Sequence, residues 1–443
     1  MKFLKISYIC IITILLFGIL LLNSCKKDVE TQKQSSPKVT LVFKHYDIQS
    51  FSFFGGRKEF FTELIKEFEK THPNIDIKEE LLPASSDLQH QFYVINLEGK
   101  TEGIDIIGLD VIWVKEFAKA GWIKDLTGYL EKDEYNDFIP VLVEANSFED
   151  KLYAIPWMFN SGLLYYRKDL LDKYKLKPPE TYQELLETAD YILKKENNPD
   201  LYGFLWQGKQ YEGLVCNALE FIYGNGGKIL INNDVVIDSI QTRQALDMMR
   251  KFINTGVSPD LVKTANEGIA RKTFLNGNAI FIRDWAYSNR IINGDKSPLK
   301  GLVAFSNVPH FPNKESSPIL GGYQLGINKY SRHPDEAYEF IKFITSPEAQ
   351  KHVAIYGGYK PSRKSLYKDK ELLKVDPYLE EYYDKVIPTV KPRPLSPFYI
   401  MFSNILQSEF SAIIGNLRTS QDCLYSAKKQ IQYILDVEKR SKG

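Results

Sequence analysis

The chain of 443 residues holds only four cysteines, six histidines and five methionines. Two of the cysteines, Cys10 and Cys25, lie near the start, which leaves Cys216 and Cys423 for the rest. Two thiols so far apart in sequence are not the disulfide framework of a small secreted domain. They are expected to be buried and free, with a bridge as the minor alternative, because sequence spacing says nothing of separation in space. The histidines (His45, His72, His90, His310, His333, His352) are scattered. No H-E-x-x-H, paired C-x-x-C or G-x-S-x-G run occurs, so no motif marks a metal site or a serine-hydrolase elbow. A charge excess is missing too: 57 Lys and Arg stand against 56 Asp and Glu. That balance gives no electrostatic footprint for nucleic acid. The glycine-rich Gly224-Asn225-Gly226-Gly227 lacks the lysine and spacing of a phosphate-cradling loop and reads as a turn. Internal repeats are absent.

What is present begins with a signal-like segment. Lys2 and Lys5 precede the charge-free apolar stretch Ile6 to Leu22, and Lys26, Lys27 and Asp28 follow Leu22-Asn23-Ser24-Cys25 at once. This layout reads as a secretory signal over 1–24. Cys25 resembles the lipobox cysteine of bacterial lipoproteins, where the thiol carries a diacylglycerol and the chain is cut just before it. Leu22 and Ser24 fit that pattern, and Asn23 is a less usual choice. The alternative is an uncleaved membrane anchor of near-spanning length, which gives Cys25 no role. Both place the remaining chain outside the cytoplasm. Residues 25–38 have almost no apolar content and read as a flexible spacer.

The mature part is too long for one compact core, so two domains are expected, interleaved in sequence. Val39 to Phe43 is a β-rich run suited to a buried strand, and Ile75 to Ile77 and Asp105 to Asp110 read likewise. Phe60 to Lys70 places Phe60, Leu64 and Phe68 on one helical face, and a helix is expected around Val114 to Ala120. Strands alternating with helices imply an α/β layer with a largely parallel sheet, where ligands bind beyond the carboxyl ends of strands. Asp110 ends such a strand. Further on, Gly162 to Tyr166 reads as a strand, and Thr181 with Glu184 forms a capping box for a helix. Pro334 to Thr345 is a helix with Ala337, Phe340, Ile341 and Ile344 inward, and Tyr399 to Val437 is mostly amphipathic helix. Aromatic residues make up 13% of the chain, a supply that suits a binding cleft as well as a core.

Several stretches resemble the extracellular solute-binding proteins of family 1 that feed sugar-importing ABC transporters, with the trehalose/maltose-binding lipoproteins as the nearest branch. They are Asp110–Asp125 (DVIWVKEFAKAGWIKD), Lys151–Leu171 (KLYAIPWMFNSGLLYYRKDLL), Trp206–Cys216 (WQGKQYEGLVC), Leu320–Tyr330 (LGGYQLGINKY) and Pro392–Tyr399 (PRPLSPFY). The resemblance spans nearly the whole mature chain. It implies a type II periplasmic-binding-protein-like fold of two α/β lobes joined by a multi-strand hinge, with the ligand cleft between them. It places 39–156 and 302–346 in the first lobe and 157–301 and 347–443 in the second. Crossings are expected near Pro156, near Val303 and after Ser346.

The resemblance also implies site residues. A sugar offers hydroxyls and apolar C–H faces, so a site for one needs paired hydrogen-bonding groups and aromatic rings. Asp110 matches an acid that accepts from hydroxyls, with helix capping as its other role. Trp285 and Tyr287 match a stacking pair, with core packing as the alternative. Gly322 and Tyr323 match a Gly-Trp pair at the lobe junction, tyrosine replacing the usual Trp. Arg393 and Tyr399 match residues that close over the ligand, and Arg393 serves equally well as an interlobe ion pair. After the Ala-Ile-Pro run the family's tyrosine and aspartate are replaced by Met158 and Asn160; an acid expected near Phe53 to Glu59 aligns loosely with Arg57 or Glu59, and an arginine with Gln91. These departures speak for a disaccharide or short oligosaccharide not restricted to trehalose or maltose. The expected partners are the sugar, ABC permease subunits and, through the lipid, the membrane; nucleic acid, cofactor and metal are not expected, and the state is monomeric. The competing readings are a glycosidase, which needs two carboxylates set across the scissile bond, and a binder of a peptide or polyamine.

Overall fold

The computed structural model describes residues 38–47, 59–83, 85–232 and 234–441. Cys25, the signal-like segment, most of the spacer and Arg57 lie outside the described residues. Strand β1 (Val39–Tyr46), helix α1 (Phe60–Thr71), β2 (Ile75–Leu82), helix α2 (Ser86–Glu98), β3 (Ile106–Asp110), helix α3 (Val114–Ala120) and β4 (Ile155–Pro156) follow in alternation. The period of each element sets its packing. Along β3, Ile106 belongs to one core and Ile107 and Leu109 to another, because successive side chains of a strand point to opposite faces. One face of the sheet packs on α1 through Phe60, Leu64 and Phe68; the other packs on Tyr93 and Leu97 of α2 and Val114 and Phe117 of α3.

The second lobe starts at β5 (Met158–Arg167), followed by helix α4 (Tyr182–Glu196), β6 (Tyr202–Leu205), helix α5 (Glu212–Gly224), helix α6 (Glu267–Leu275), β7 (Ala279–Trp285) and β8 (Val303–Ser306). The capping box of α4 is made: Thr181 Oγ1 accepts from Glu184 N at 3.1 Å, and Glu184 Oε2 accepts from Thr181 N at 3.0 Å. The chain then runs through β9 (Leu320–Gly321), β10 (Tyr323–Ile327), helix α7 (Pro334–Ile344), helix α8 (Pro347–Gly357), β11 (Lys360–Pro361), helix α9 (Tyr399–Ile414) and helix α10 (Ser420–Ser441). Ala337, Phe340, Ile341 and Ile344 of α7 are all fully buried. Cys216 and Cys423 are buried and free.

Two main sheets result. The first has the order β2-β1-β3-β10-β4, and β10 runs antiparallel to its neighbours. The second has the order β8-β5-β7-β6, and β9 and β11 also pair with β5. Strand pairing moves two expected lobe boundaries. Val303–Ser306 pairs with Leu164–Arg167 inside the second sheet, so the chain returns to the first lobe between Gly321 and Tyr323 and not at 302. Helix α8 places Ala349 and Val353 in the core that holds Phe60, so the chain leaves the first lobe at Tyr359–Lys360 and not at 346. A β-rich run announces a strand, but which sheet completes its hydrogen bonds is a long-range choice. Gly322 sits in the middle crossing with φ +115°, and a Cβ there would run into the Met158 carbonyl. Only glycine holds that close approach between strands.

Candidate ligand site between the lobes

Residues of both lobes meet where β3, β9, β10 and β7 end. From the first lobe come Asp110, at the carboxyl end of β3, and Tyr323, which pairs with it across the sheet. Asp110 Oδ2 accepts from Ser86 Oγ at 3.1 Å, and its Oδ1 accepts from the Ile112 N–H at 3.3 Å. The carboxylate thus closes a turn onto Ile112 and does not cap α3, whose N-cap position is Trp113 with no side-chain cap hydrogen bond. Tyr323 stacks on Tyr46 at 4.0 Å between ring centres. Burial raises both phenols well above their ordinary value, so they act as neutral hydroxyls. Asp87 stands close by, its carboxyl raised by burial and then by the charge of Asp110.

The second lobe contributes the aromatic pair. Strand β7 is buried up to Asp284, and Trp285 and Tyr287 emerge half-buried from its end. Arg271, from α6, donates to Asp284 through Nε at 2.7 Å and Nη2 at 3.0 Å, and also donates to the Tyr287 hydroxyl at 2.8 Å. Asp284 Oδ1 accepts from the Trp285 N–H at 2.8 Å. Glu267, the first residue of α6, accepts from Trp285 Nε1 at 3.2 Å and from the Tyr211 hydroxyl at 2.8 Å. Tyr287 lies 6.4 Å from Tyr359, ring centre to ring centre. Asn160 is half-buried on β5, pairs with Gly321 and turns its Oδ1 to the Ser161 N–H at 3.1 Å.

Arg393 ties the lobes. Its Nη2 donates to Asp110 Oδ1 at 3.3 Å and its Nη1 to Glu212 Oε1 at 2.9 Å. Burial opposes its charge, yet the neighbouring Asp110 and Glu212 hold the guanidinium firmly protonated. Glu212, at the start of α5, also accepts from Tyr399 at 2.6 Å and from Ser403. Burial raises the Glu212 carboxyl, against the pull of Arg393 and the two hydroxyls. The Arg393 Nε–H has no protein acceptor.

All eight expected residues thus converge on one region, with two qualifications. Tyr399 is only 1% exposed and sits under Arg393, holding Glu212. Arg393 is an interlobe ion pair, as its alternative reading held. Gln91 is exposed on α2, whereas Gln89 is buried and donates to the Pro83 carbonyl at 2.7 Å. Glu59 is exposed just before α1. Sequence reasoning missed Tyr46, Tyr211, Glu212, Glu267, Arg271 and Tyr359. Tyr211 and Glu212 lie inside the quoted WQGKQYEGLVC run; the others carry no local signal that separates them from core or surface. Among the described residues no group of His, Cys, Asp and Glu is arranged to hold a metal ion, and no helix is long and apolar enough to cross a membrane.

Comparison with known proteins agrees with this architecture. A family model described as bacterial extracellular solute-binding protein matches residues 55–351. A "Probable ABC transporter-binding protein" of Deinococcus radiodurans is 32% identical over 362 residues, 79% of this chain and 84% of that protein. A maltotriose-binding protein of Pyrococcus abyssi is 24% identical over 326 residues, 72% of this chain and 66% of its own length. The solved structure of maltose-bound MalE3 of T. maritima is similar with a TM-score of 0.80 and 35% identity, covering 90% of this chain and 100% of that one. The chain belongs to the bacterial extracellular solute-binding proteins.

Proposed function

We propose that the protein captures a disaccharide or short oligosaccharide of the maltose type and presents it to an ABC importer, held at the outer side of the membrane by a lipid on Cys25. The observation that carries this reading is the meeting of two kinds of surface at the junction of the lobes. Half-buried rings (Trp285, Tyr287, Tyr323) stand beside fixed hydrogen-bonding groups (Asp110, Asn160, Arg393). Rings cover the C–H face of a sugar, and paired polar groups discriminate its hydroxyls once water is expelled. The maltose ligand of the similar T. maritima protein and the name of the P. abyssi relative favour an α-linked glucose ligand.

A glycosidase fits the arrangement less well. It needs acids on opposite sides of the scissile bond. Asp87 and Asp110 both belong to the first lobe, and the second-lobe acids Glu212 and Glu267 have their oxygens engaged by protein donors. The test is a thermal-shift screen over maltose, maltotriose, trehalose and unrelated polyols, peptides and polyamines. A ligand specific for the folded state raises Tm by mass action, equivalent to about 2.7 kcal/mol at a hundredfold excess over Kd. A rise confined to maltose-type sugars, which are recovered unhydrolysed, is the expected result. A rise with peptides or polyamines alone, or sustained turnover of the sugar, sinks the reading.

A further inference from the structure

Behind the Trp285 ring lies a charge pair that the ligand reading does not use. Arg283 and Glu220 form an ion pair inside the second lobe, with side-chain exposures of 4% and 1%. Glu220 Oε2 accepts from Arg283 Nε at 2.8 Å and Oε1 from Nη2 at 2.5 Å. Such a pair is weak evidence for stability, because desolvation offsets most of its attraction. Its placement is the informative part. The Arg283 guanidinium carbon sits 4.2 Å from the centre of the Trp285 ring, within cation–π range. Glu220 Oε1 also accepts from the Ile319 N–H at 3.2 Å, and Ile319 opens the segment by which the chain crosses back to the first lobe. The ring itself leans on that segment: a Cβ on Gly321 would lie 2.9 Å from Trp285 Cζ3. Room for the pair is made on β5 by Gly162, where a Cβ would overlap Glu220 Oε1.

We propose that Arg283, held by Glu220, is a positioning residue that fixes the Trp285 ring against the lobe-crossing segment before any ligand arrives. Glu267 anchors the indole at its N–H, but a ring held at one edge alone can still tilt, and ordering it on binding would lower affinity. The consequence for affinity rests on Trp285 touching ligand; the positioning does not.

The test uses ligand-free protein labelled with 5-fluorotryptophan at its five tryptophans, the Trp285 fluorine line being assigned through Trp285→Phe. The paired substitution Arg283→Met with Glu220→Leu removes both charges and leaves neither one buried alone. The Trp285 line is expected to be single and sharp in the parent, and to shift and broaden in the double variant while the other four lines hold. The Kd for maltose, by calorimetry, is expected to rise about fivefold, which is about 1 kcal/mol. An unchanged Trp285 line in a folded double variant overturns the proposal. If the double variant melts well below the parent, Glu220→Gln keeps the shape and removes the charge that holds Arg283; an unchanged line there overturns it equally. A broadened line together with maltose affinity that Trp285→Ala does not alter would leave the positioning in place and remove Trp285 from the ligand site.

Discussion

Trp285 is the residue at which chemistry and packing meet. Its backbone N–H is held by Asp284, its indole N–H by Glu267 and its ring face by Arg283. Yet it keeps solvent exposure that a core tryptophan of this protein, such as Trp113 or Trp206 at 1%, has lost. Trp285→Ala is therefore expected to weaken sugar binding more than tenfold, about 1.4 kcal/mol or more, without loss of the fold. Calorimetry measures the affinity and circular dichroism the fold; unchanged affinity would take Trp285 out of the site. Asp110 and Tyr323 are candidates from the sequence because they fall in stretches with a family resemblance, and Tyr287 is one through its match as a pair with Trp285. Arg271 and Glu267 are not. They act through Tyr287 and Trp285, and the pairing exists only after α6 packs beside β7.

At the scale of elements, the sequence pattern and the structure agree where local physics decides. The face of α1, the inward row of α7 and the capping box of α4 depend on residues three or four apart, so short-range sequence contains them. The cap on α4 supports a helix whose buried side carries Leu185, Ala189 and Ile192. Thr181→Ala removes the acceptor for the Glu184 N–H and is expected to cost about 1 kcal/mol, read as a lower urea midpoint at unchanged slope. A change of less than about 0.3 kcal/mol would mean that tertiary packing alone holds this helix end. Strand β8 shows the opposite case. Val303 is expected from the sequence only as a place where the chain crosses between lobes, and the pairing of Val303–Ser306 with β5 depends on residues more than 130 positions earlier.

The whole molecule is two lobes tied at three crossings and by side chains that span them. Arg393 binds Asp110 of the first lobe and Glu212 of the second, and Lys119 of α3 reaches Glu438 of α10 at 2.5 Å. These contacts exist only while the lobes lie together, and ligand is expected to favour the arrangement that makes them over one with the lobes apart. Small-angle scattering should therefore show a smaller radius of gyration in saturating maltose than in its absence. Identical profiles with a ligand known to be bound would rule out hinge closure.

The sequence by itself determined the α/β class, the positions of those helices and strands whose pattern is local, such as β1, α1, β3 and α7, and the family, because period, capping and motif are carried by neighbouring residues. Only the tertiary structure decided where the lobes begin and end, that Arg393 spans them, and which buried charges stand behind the aromatic pair. Those features are contacts between distant segments. Their energies depend on the burial and geometry that exist once the sheets have formed, and no local stretch of chain records them.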